Sequence, residues 1–393
     1  MRILTFTSLF PNARQPLLGI FVYHRVANLA QRAGHHVQVV APVPYFPVWL
    51  RVKRWQAASQ VPRQEQVGGL GVYHPRYFLL PRISMPLHGM LMFLGSAPLA
   101  LRLNREAKFD CIDAHYVYPD GFAAVLLGKL LRVPVIVSAR GTDINLFPWF
   151  RSIRPMIQWT LRQADGVIAV SAALREAMVE LGTPPDKIQV IPNGVDPQRF
   201  EPVDRQAARR HLGLPAEGQA IVQVGSLISS KGPRLLIAAL AEIAPRFPDL
   251  RLYLLGEGSL RKKLESLVRE NGLEQRVLLV GSRPNEELKF WYSAADLTCL
   301  ASLREGMPNV VLESLACGTP VVATRVGGVP EILISSELGL MAEPNVQSIA
   351  MALKSALETS WDREALVRHA RTRTWTEVAG EVERYLLSRV DEQ

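Results

Sequence analysis

Arg304-Glu305-Gly306-Met307-Pro308-Asn309-Val310-Val311-Leu312-Glu313-Ser314-Leu315-Ala316-Cys317-Gly318-Thr319-Pro320-Val321-Val322 follows the β-rich run Leu297 to Leu300 and ends inside a second, Pro320 to Ala323. Its pattern predicts a loop carrying Glu305, then a helix from about Asn309 that Gly318 stops. Strand, loop, helix and strand form the repeating unit of a parallel sheet, and the loops after such strands are where ligands bind. The open amides at a helix start carry partial positive charge and suit a diphosphate. Glu305 in the loop and Glu313 about one turn into the helix have seven residues between them, so they can grip hydroxyls on either side of that anion site. The rival reading is a glycosidase acid pair. Both carboxylates come from one short segment beside an anion site, which favours gripping over attack. A solvated glutamate near a helix start is the plainer reading of Glu313, and its apolar surroundings oppose it.

The same alternation extends in both directions. Ala220 to Val224, Leu250 to Leu255 and Val277 to Val280 read as further strands, with helices between them. Upstream, Arg2 to Thr7, Val37 to Ala41, Asp110 to Ala114, Val133 to Ser138, Gly166 to Ser171 and Ile188 to Ile191 form a first series. A helix from about Ile20 to Ala33 stops at Gly34. Pro192-Asn193-Gly194-Val195-Asp196-Pro197, rich in turn formers, separates the two series. At 393 residues the chain exceeds the usual size of one core. The expected fold class is therefore α/β, with two doubly wound Rossmann-like domains facing across a cleft, residues 1–197 and 198–374.

Apolar content of 48% and charged content of 21% exclude a disordered or fibrous chain. Cys111, Cys299 and Cys317 show neither paired nor metal-ligand spacing and suit small buried hydrophobes in a reducing compartment. Met1-Arg2 runs straight into Ile3-Leu4-Thr5-Phe6-Thr7, which predicts no signal peptide and a cytoplasmic setting. The net charge of +9 fits nucleic acid, an anionic membrane surface or anionic small molecules. Basic residues occur throughout, and neither a helix-turn-helix nor a zinc-finger spacing is found, so nucleic acid is not expected as a partner. A peripheral contact with the inner membrane surface stays open. Arg51, Lys53, Arg54, Arg63, Arg76 and Arg82 precede the apolar stretch Ile83 to Leu101, whose Pro86, His88 and Pro98 argue against a spanning helix.

Taken in order, further motifs accompany the Glu305/Glu313 stretch: Ala33-Gly34-His35-His36-Val37, His115 ahead of Pro119-Asp120-Gly121, and Gly194-Val195-Asp196 after Ile191-Pro192-Asn193. Val224-Gly225 through Lys231-Gly232, Gly256-Glu257-Gly258 and Gly327-Gly328-Val329-Pro330-Glu331 complete the set. This series resembles family 4 of the retaining glycosyltransferases, which have the GT-B fold, along almost the whole chain. The resemblance implies transfer of a hexosyl group from a nucleoside-diphosphate sugar, UDP- or GDP-linked, without a metal or other cofactor. The acceptor (lipid-linked, polysaccharide or small molecule) is not specified, and envelope or exopolysaccharide synthesis follows only by analogy. By the same resemblance Glu305 contacts the transferred sugar, Glu313 the ribose, and the backbone of Met307, Pro308, Asn309 and Val310 the sugar and β-phosphate. Lys231 matches the diphosphate lysine, Gly19 a glycine that lets the backbone approach the diphosphate, Gly225 falls among the donor-binding residues, and His115 matches a histidine near the reacting carbon, the first-domain catalytic candidate beside Glu305 and Lys231. Independently, Lys231 follows a strand and opens a helix, and His115 closes the strand Asp110 to Ala114.

Two departures stand out. Ser226 occupies the place of the family's usual arginine after Gly225, so a second positive charge on the leaving group must come from elsewhere, with Arg283 or Arg140 as candidates. Arg140-Gly141-Thr142-Asp143 resembles a His-Gly-x-Asp loop with arginine in place of histidine, and Asp143 is read either as an acceptor ligand or as a brace. The stretch Tyr45 to Trp49 is expected on the acceptor side. Trp375, Val378, Val382 and Tyr385 fall at helical spacing, and in this fold the last helix, here 375–390, crosses back to the first domain. Gly256-Glu257-Gly258 lacks the third glycine of a dinucleotide fingerprint. The competing functions are a nucleotide-sugar epimerase or phosphorylase on the same architecture, and a non-catalytic sugar-nucleotide binder.

Overall fold

The computed structural model describes residues 1–45, 60–79 and 85–392. Arg51, Lys53, Arg54, Arg82, Ile83 and Phe46 to Trp49 lie outside the described residues. The chain forms two compact units, Met1–Asn193 together with Trp375–Gln393, and Gly194–Thr374.

In the first unit the strands are β1 (Arg2–Phe6), β2 (His36–Val40), β3 (Val43–Tyr45), β4 (Gln64–Val67), β5 (Leu70–Tyr73), β6 (Arg76–Phe78), β7 (Cys111–His115), β8 (Val135–Ala139), β9 (Gly166–Ala169) and β10 (Ile188–Val190). Eight of them make one sheet in the order β10-β9-β8-β7-β1-β2-β5-β4, and β3 pairs with β6 separately. All pairs are parallel except the β4–β5 hairpin. The central strands β7, β8 and β9 are buried along their whole length, as expected of short apolar runs covered on both faces. The sequence reading had no strands between Ala41 and Asp110. Gln64–Val67 is polar and half-exposed, so the hairpin carries little of the apolar signal that marks a strand.

The chain leaves this unit at Asn193 and returns with the helix Trp375–Asp391. Trp375, Val378, Val382 and Leu386 lie in one cluster with Ile3, Leu29, Cys111 and Ile136. The Trp375 indole stacks on the His24 ring at 5.9 Å. Glu383 accepts from the His35 ring at 2.6 Å and from Arg32. Tyr385 accepts from the Val167 amide at 3.1 Å and donates to Lys187 carbonyl oxygen at 2.8 Å.

In the second unit β11 (Ala220–Val224), β12 (Arg251–Leu255), β13 (Val277–Gly281), β14 (Leu297–Leu300), β15 (Val321–Thr324) and β16 (Gly339–Ala342) form a parallel sheet in the order β13-β12-β11-β14-β15-β16. From β11 the chain steps outward through β12 and β13, then returns to β14 on the other side of β11. The carboxyl ends of β11 and β14 therefore flank the switch point, where open α/β sheets bind ligands. β16 is an addition to the sequence reading. No helix among the described residues is long and apolar enough to cross a membrane.

Because Trp375 is buried in the first unit's core, Trp375→Ala should lower stability by about 3–5 kcal/mol. A denaturant titration would show this as an earlier midpoint, and a loss under about 1 kcal/mol would contradict the packing.

Candidate functional site

The loop after β11 and the loop after β14 meet at the switch point of the second sheet. Gly232 sits at φ 62°, and a side chain there would run into the Ala301 carbonyl oxygen at 1.8 Å. Glycine alone permits that approach. The Leu303 amide donates to Ser230 carbonyl oxygen at 2.8 Å and fastens the loops together. This places Lys231 Nζ 2.7 Å from Glu305 Oε1, which also accepts from Ser302 Oγ at 2.6 Å. Glu305 is buried and Lys231 half-buried. A buried carboxylate without a cation carries a desolvation penalty of several kcal/mol, so the pair explains why Glu305 is tolerated there.

The Glu305 turn is braced from behind. Gly327 has φ 52°, and a Cβ on it would strike the Glu305 carbonyl oxygen at 2.2 Å. The Gly328 amide then donates to Gly306 carbonyl oxygen at 2.9 Å. The Gly327-Gly328 motif thus serves the carboxylate loop, a role the sequence did not disclose.

Helix Asn309–Ala316 starts where this turn ends, with Pro308 at the N-cap and no side chain capping it. Met307 and Pro308 are buried, while Asn309 and Val310 are partly open. Glu313 is half-buried and its Oε2 accepts from Tyr292 OH at 2.9 Å. Burial pushes the Glu313 carboxyl up to about 7, against the Tyr292 hydrogen bond and the Arg199 charge, which favour the ionised form. Tyr292 is fully buried and was not anticipated from the sequence. Its position in Trp291-Tyr292, one turn before β14, was the available signal.

The remaining second-unit candidates separate into near and far. Gly225 follows β11 and donates its amide to Leu255 carbonyl oxygen at 2.9 Å, and Ser226 beside it is exposed. Arg283 follows β13, the sheet edge, two strands from β11. Its guanidinium is 3.9 Å from Glu287 and 3.4 Å from the Val280 carbonyl oxygen, and none of its contacts reaches Lys231 or Glu305.

In the first unit, Gly19 has φ 60° and precedes helix Ile20–Gln31, which carries Arg25 into the interior. Arg25 donates to Asp113 Oδ1 at 2.7 Å and to Ser138 Oγ at 2.8 Å. Asp113 Oδ2 lies 3.2 Å from His115 Nε2, and Arg140 donates to His115 Nδ1. A guanidinium only donates, so Nδ1 holds a lone pair and Nε2 carries the proton given to Asp113. Burial drives His115 down to about 3, aided by Arg140 and Arg25 and opposed by Asp113. For Asp113, burial acts upward but Arg25 and His115 outweigh it and hold the carboxyl well below its usual range. His115 is fully buried with both nitrogens engaged, while Arg140 is half-buried. Arg140 also donates to Asn193 Oδ1 at 3.3 Å, and burial lowers it to about 9. Asp143 accepts amides of Val117 and Gly141, both at 2.8 Å, and of Arg140 at 3.1 Å, so it braces the loop. Asp120 accepts from the Ser8 amide and hydroxyl, joining the loops after β7 and β1.

Residues 204–373 match the family model described as "Glycosyl transferases group 1", and residues 19–199 match "Glycosyltransferase Family 4". The chain is 29% identical over 365 residues to the putative teichuronic acid biosynthesis glycosyltransferase TuaC of Bacillus subtilis, covering 90% of this chain and 88% of that one. It is 32% identical over 301 residues, 71% of each chain, to the D-inositol 3-phosphate glycosyltransferase of Corynebacterium aurimucosum. The structure of Anabaena Alr3699/HepE in complex with UDP-glucose superposes with a TM-score of 0.72 at 21% identity, over 98% of this chain and 99% of that one.

The raised Glu313 carboxyl has a consequence for stability. The folded unit holds this proton more tightly than the unfolded chain, so the contribution is complete below about 4.5 and is lost as pH rises through about 7. Glu313→Gln, which keeps an acceptor for Tyr292, should lack this loss. Denaturation midpoints taken from pH 4 to 9 should show the variant gaining on the wild type across that interval. Parallel profiles would contradict the burial of the charge.

Proposed function

The chain belongs to family 4 of the glycosyltransferases, with the GT-B fold, and from that premise we propose that it transfers a hexosyl group, with retention, from a nucleoside-diphosphate sugar to an acceptor hydroxyl. The observation that carries this reading is the Lys231–Glu305 pair at the β11/β14 switch point, beside an uncapped helix start. Arriving pyrophosphate takes over the Lys231 ammonium and the first amides of helix Asn309–Ala316. Glu305, released from the ammonium, accepts from hydroxyls of the sugar, and Glu313 accepts from the ribose. The UDP-glucose bound by the Anabaena neighbour supports a nucleotide sugar as donor. The name of the Bacillus relative supports an envelope polymer as the setting.

In the transfer step the acceptor oxygen bonds to the anomeric carbon on the face the leaving group departs from. The bond from that carbon to the β-phosphate oxygen breaks, and the acceptor's proton passes to that phosphate oxygen. Charge builds on the diphosphate as the bond breaks, so a fixed ammonium there stabilises the transition state more than the ground state. Ser226 offers only a hydroxyl where the family resemblance led to the expectation of an arginine, which in this reading leaves Lys231 with most of the task. The catalytic role expected of His115 becomes a positioning one for Arg140 in this reading, because the ring is neutral, fully buried and locked between Asp113 and Arg140.

Lys231→Ala and Glu305→Ala should each lower turnover of UDP- or GDP-sugars on the order of 10²–10³-fold, with folding retained. Chromatographic separation of donor, product and nucleoside diphosphate reads this directly. Near-normal turnover in either variant would reject the assignments, and isomerised donor without released diphosphate would replace transfer by epimerisation.

A further inference from the structure

Helix His88–Glu106 is apolar on two faces. Its inner face buries Gly89, Met92, Ser96, Ala100 and Leu103. Its outer face runs Leu87, Met90, Leu94, Pro98, then Arg102 and Arg105, all exposed. Leu87 is 57% and Leu94 58% accessible. A surface helix normally turns polar residues outward, so three turns of outward apolar side chains need a cover.

A second exposed apolar element stands at the same end of the sheet. Trp149 is 80% and Phe150 45% accessible, and both precede helix Arg154–Gln163. Gly89 lies against the Phe122 ring, and that ring is 4.8 Å from Trp159 of the second helix. The two helices therefore share one side of the sheet, and parallel-sheet geometry puts their starts at the carboxyl edge of the strands. The indole N–H of Trp149 donates to Asn145 carbonyl oxygen at 3.2 Å, which leaves the ring outward.

The charge distribution names the cover. Residues 1–106, to the end of this helix, contain twelve of the 45 Lys and Arg but two of the 36 Asp and Glu, so they carry +10 while the remainder of the chain sums to −1, and of those two acids Glu106 lies 3.7 Å from Arg102. From Ile144 to Ala164 there is again no acid, with Arg151 and Arg154 exposed beside Trp149. Basic residues are spread along the chain; acidic ones are withheld from this part of the first unit. A second copy of the chain would bring Arg102, Arg105, Arg151 and Arg154 against the same guanidiniums, whereas anionic lipid complements them. Outward leucines, an indole and flanking arginines match the acyl boundary, the interfacial belt and the phosphate layer of a bilayer.

We infer that this face docks on an anionic lipid surface, with Leu87, Met90, Leu94 and Trp149 entering the interface and Arg102, Arg151 and Arg154 meeting headgroup phosphates. Such docking places the strand ends of the first unit, the acceptor side in the proposed reaction, at the membrane. It rests on that reaction only for the identity of the acceptor as a lipid-borne hydroxyl compound.

Vesicle flotation tests the surface without any activity. The full chain should float with phosphatidylcholine vesicles containing phosphatidylglycerol, far less with phosphatidylcholine alone, and progressively less as salt rises. Leu87→Glu/Leu94→Glu and, separately, Trp149→Ser should weaken partitioning by about tenfold or more while leaving the melting temperature unchanged. Absence of flotation with anionic vesicles, undiminished flotation of both variants, or a wild-type dimer that the double variant dissolves would each overturn the inference. Donor turnover in the same preparations separates the two proposals. Turnover without flotation removes the docking alone, and flotation without turnover removes the transfer reaction alone.

Discussion

An ion pair between Lys231 and Glu305 links the two loops that flank the switch point of the second sheet, and the site exists only if those loops meet. The strand order puts their origins side by side, and glycine at 232 and 327 lets backbone pass within reach of backbone. A side chain at 232 would push these loops apart, and one at 327 would displace the Glu305 turn, and either change would disturb the ion pair. The pair is also poised for exchange. Lys231 is half-open and Glu305 is not, so an incoming anion can take the ammonium while the carboxylate keeps Ser302 as a donor.

The first unit uses charge in the opposite way. Arg25, Asp113, His115, Arg140 and Asn193 form a continuous chain of donors and acceptors with little access to solvent. Such a network holds a fixed geometry, although Arg25 Nε and Arg140 Nε are buried without a partner. In both units carboxyls sit where burial works against their charge, Glu313 and Asp120 both rising to about 7. Perturbed carboxyls of this kind gather where stability is traded for binding or catalysis.

Much of this was legible in the sequence, for physical reasons that differ by element. Buried parallel strands are apolar on both faces, so runs such as Ala220 to Val224 and Leu297 to Leu300 declared themselves to the residue. Helix Asn309–Ala316 was marked at both ends, by the loop before it and by Gly318 after it. Glu305 and Lys231 stood out as charges in the loops after strands and Glu313 as one inside the helix that follows, and the structure brings Lys231 and Glu305 into contact. The β4–β5 hairpin escaped because its polar alternation resembles a loop. The partners of the site residues escaped because they come from distant segments. Tyr292 reaches Glu313 across a helix pair, and Arg25 reaches Asp113 from 88 positions away. Arg283 was proposed on its charge, and the structure places it after the edge strand β13, 3.9 Å from Glu287 and with no contact to Lys231.

The proposed transfer requires Lys231 and the helix amides to form a pyrophosphate site rather than a structural salt bridge. Calorimetric titration with UDP and with uridine isolates that claim, because the two ligands differ only in the diphosphate. UDP should bind at least about a hundredfold more tightly than uridine, and Lys231→Ala should remove most of the difference while leaving uridine binding intact. Equal affinity for the two ligands, or a difference that survives in Lys231→Ala, would contradict it.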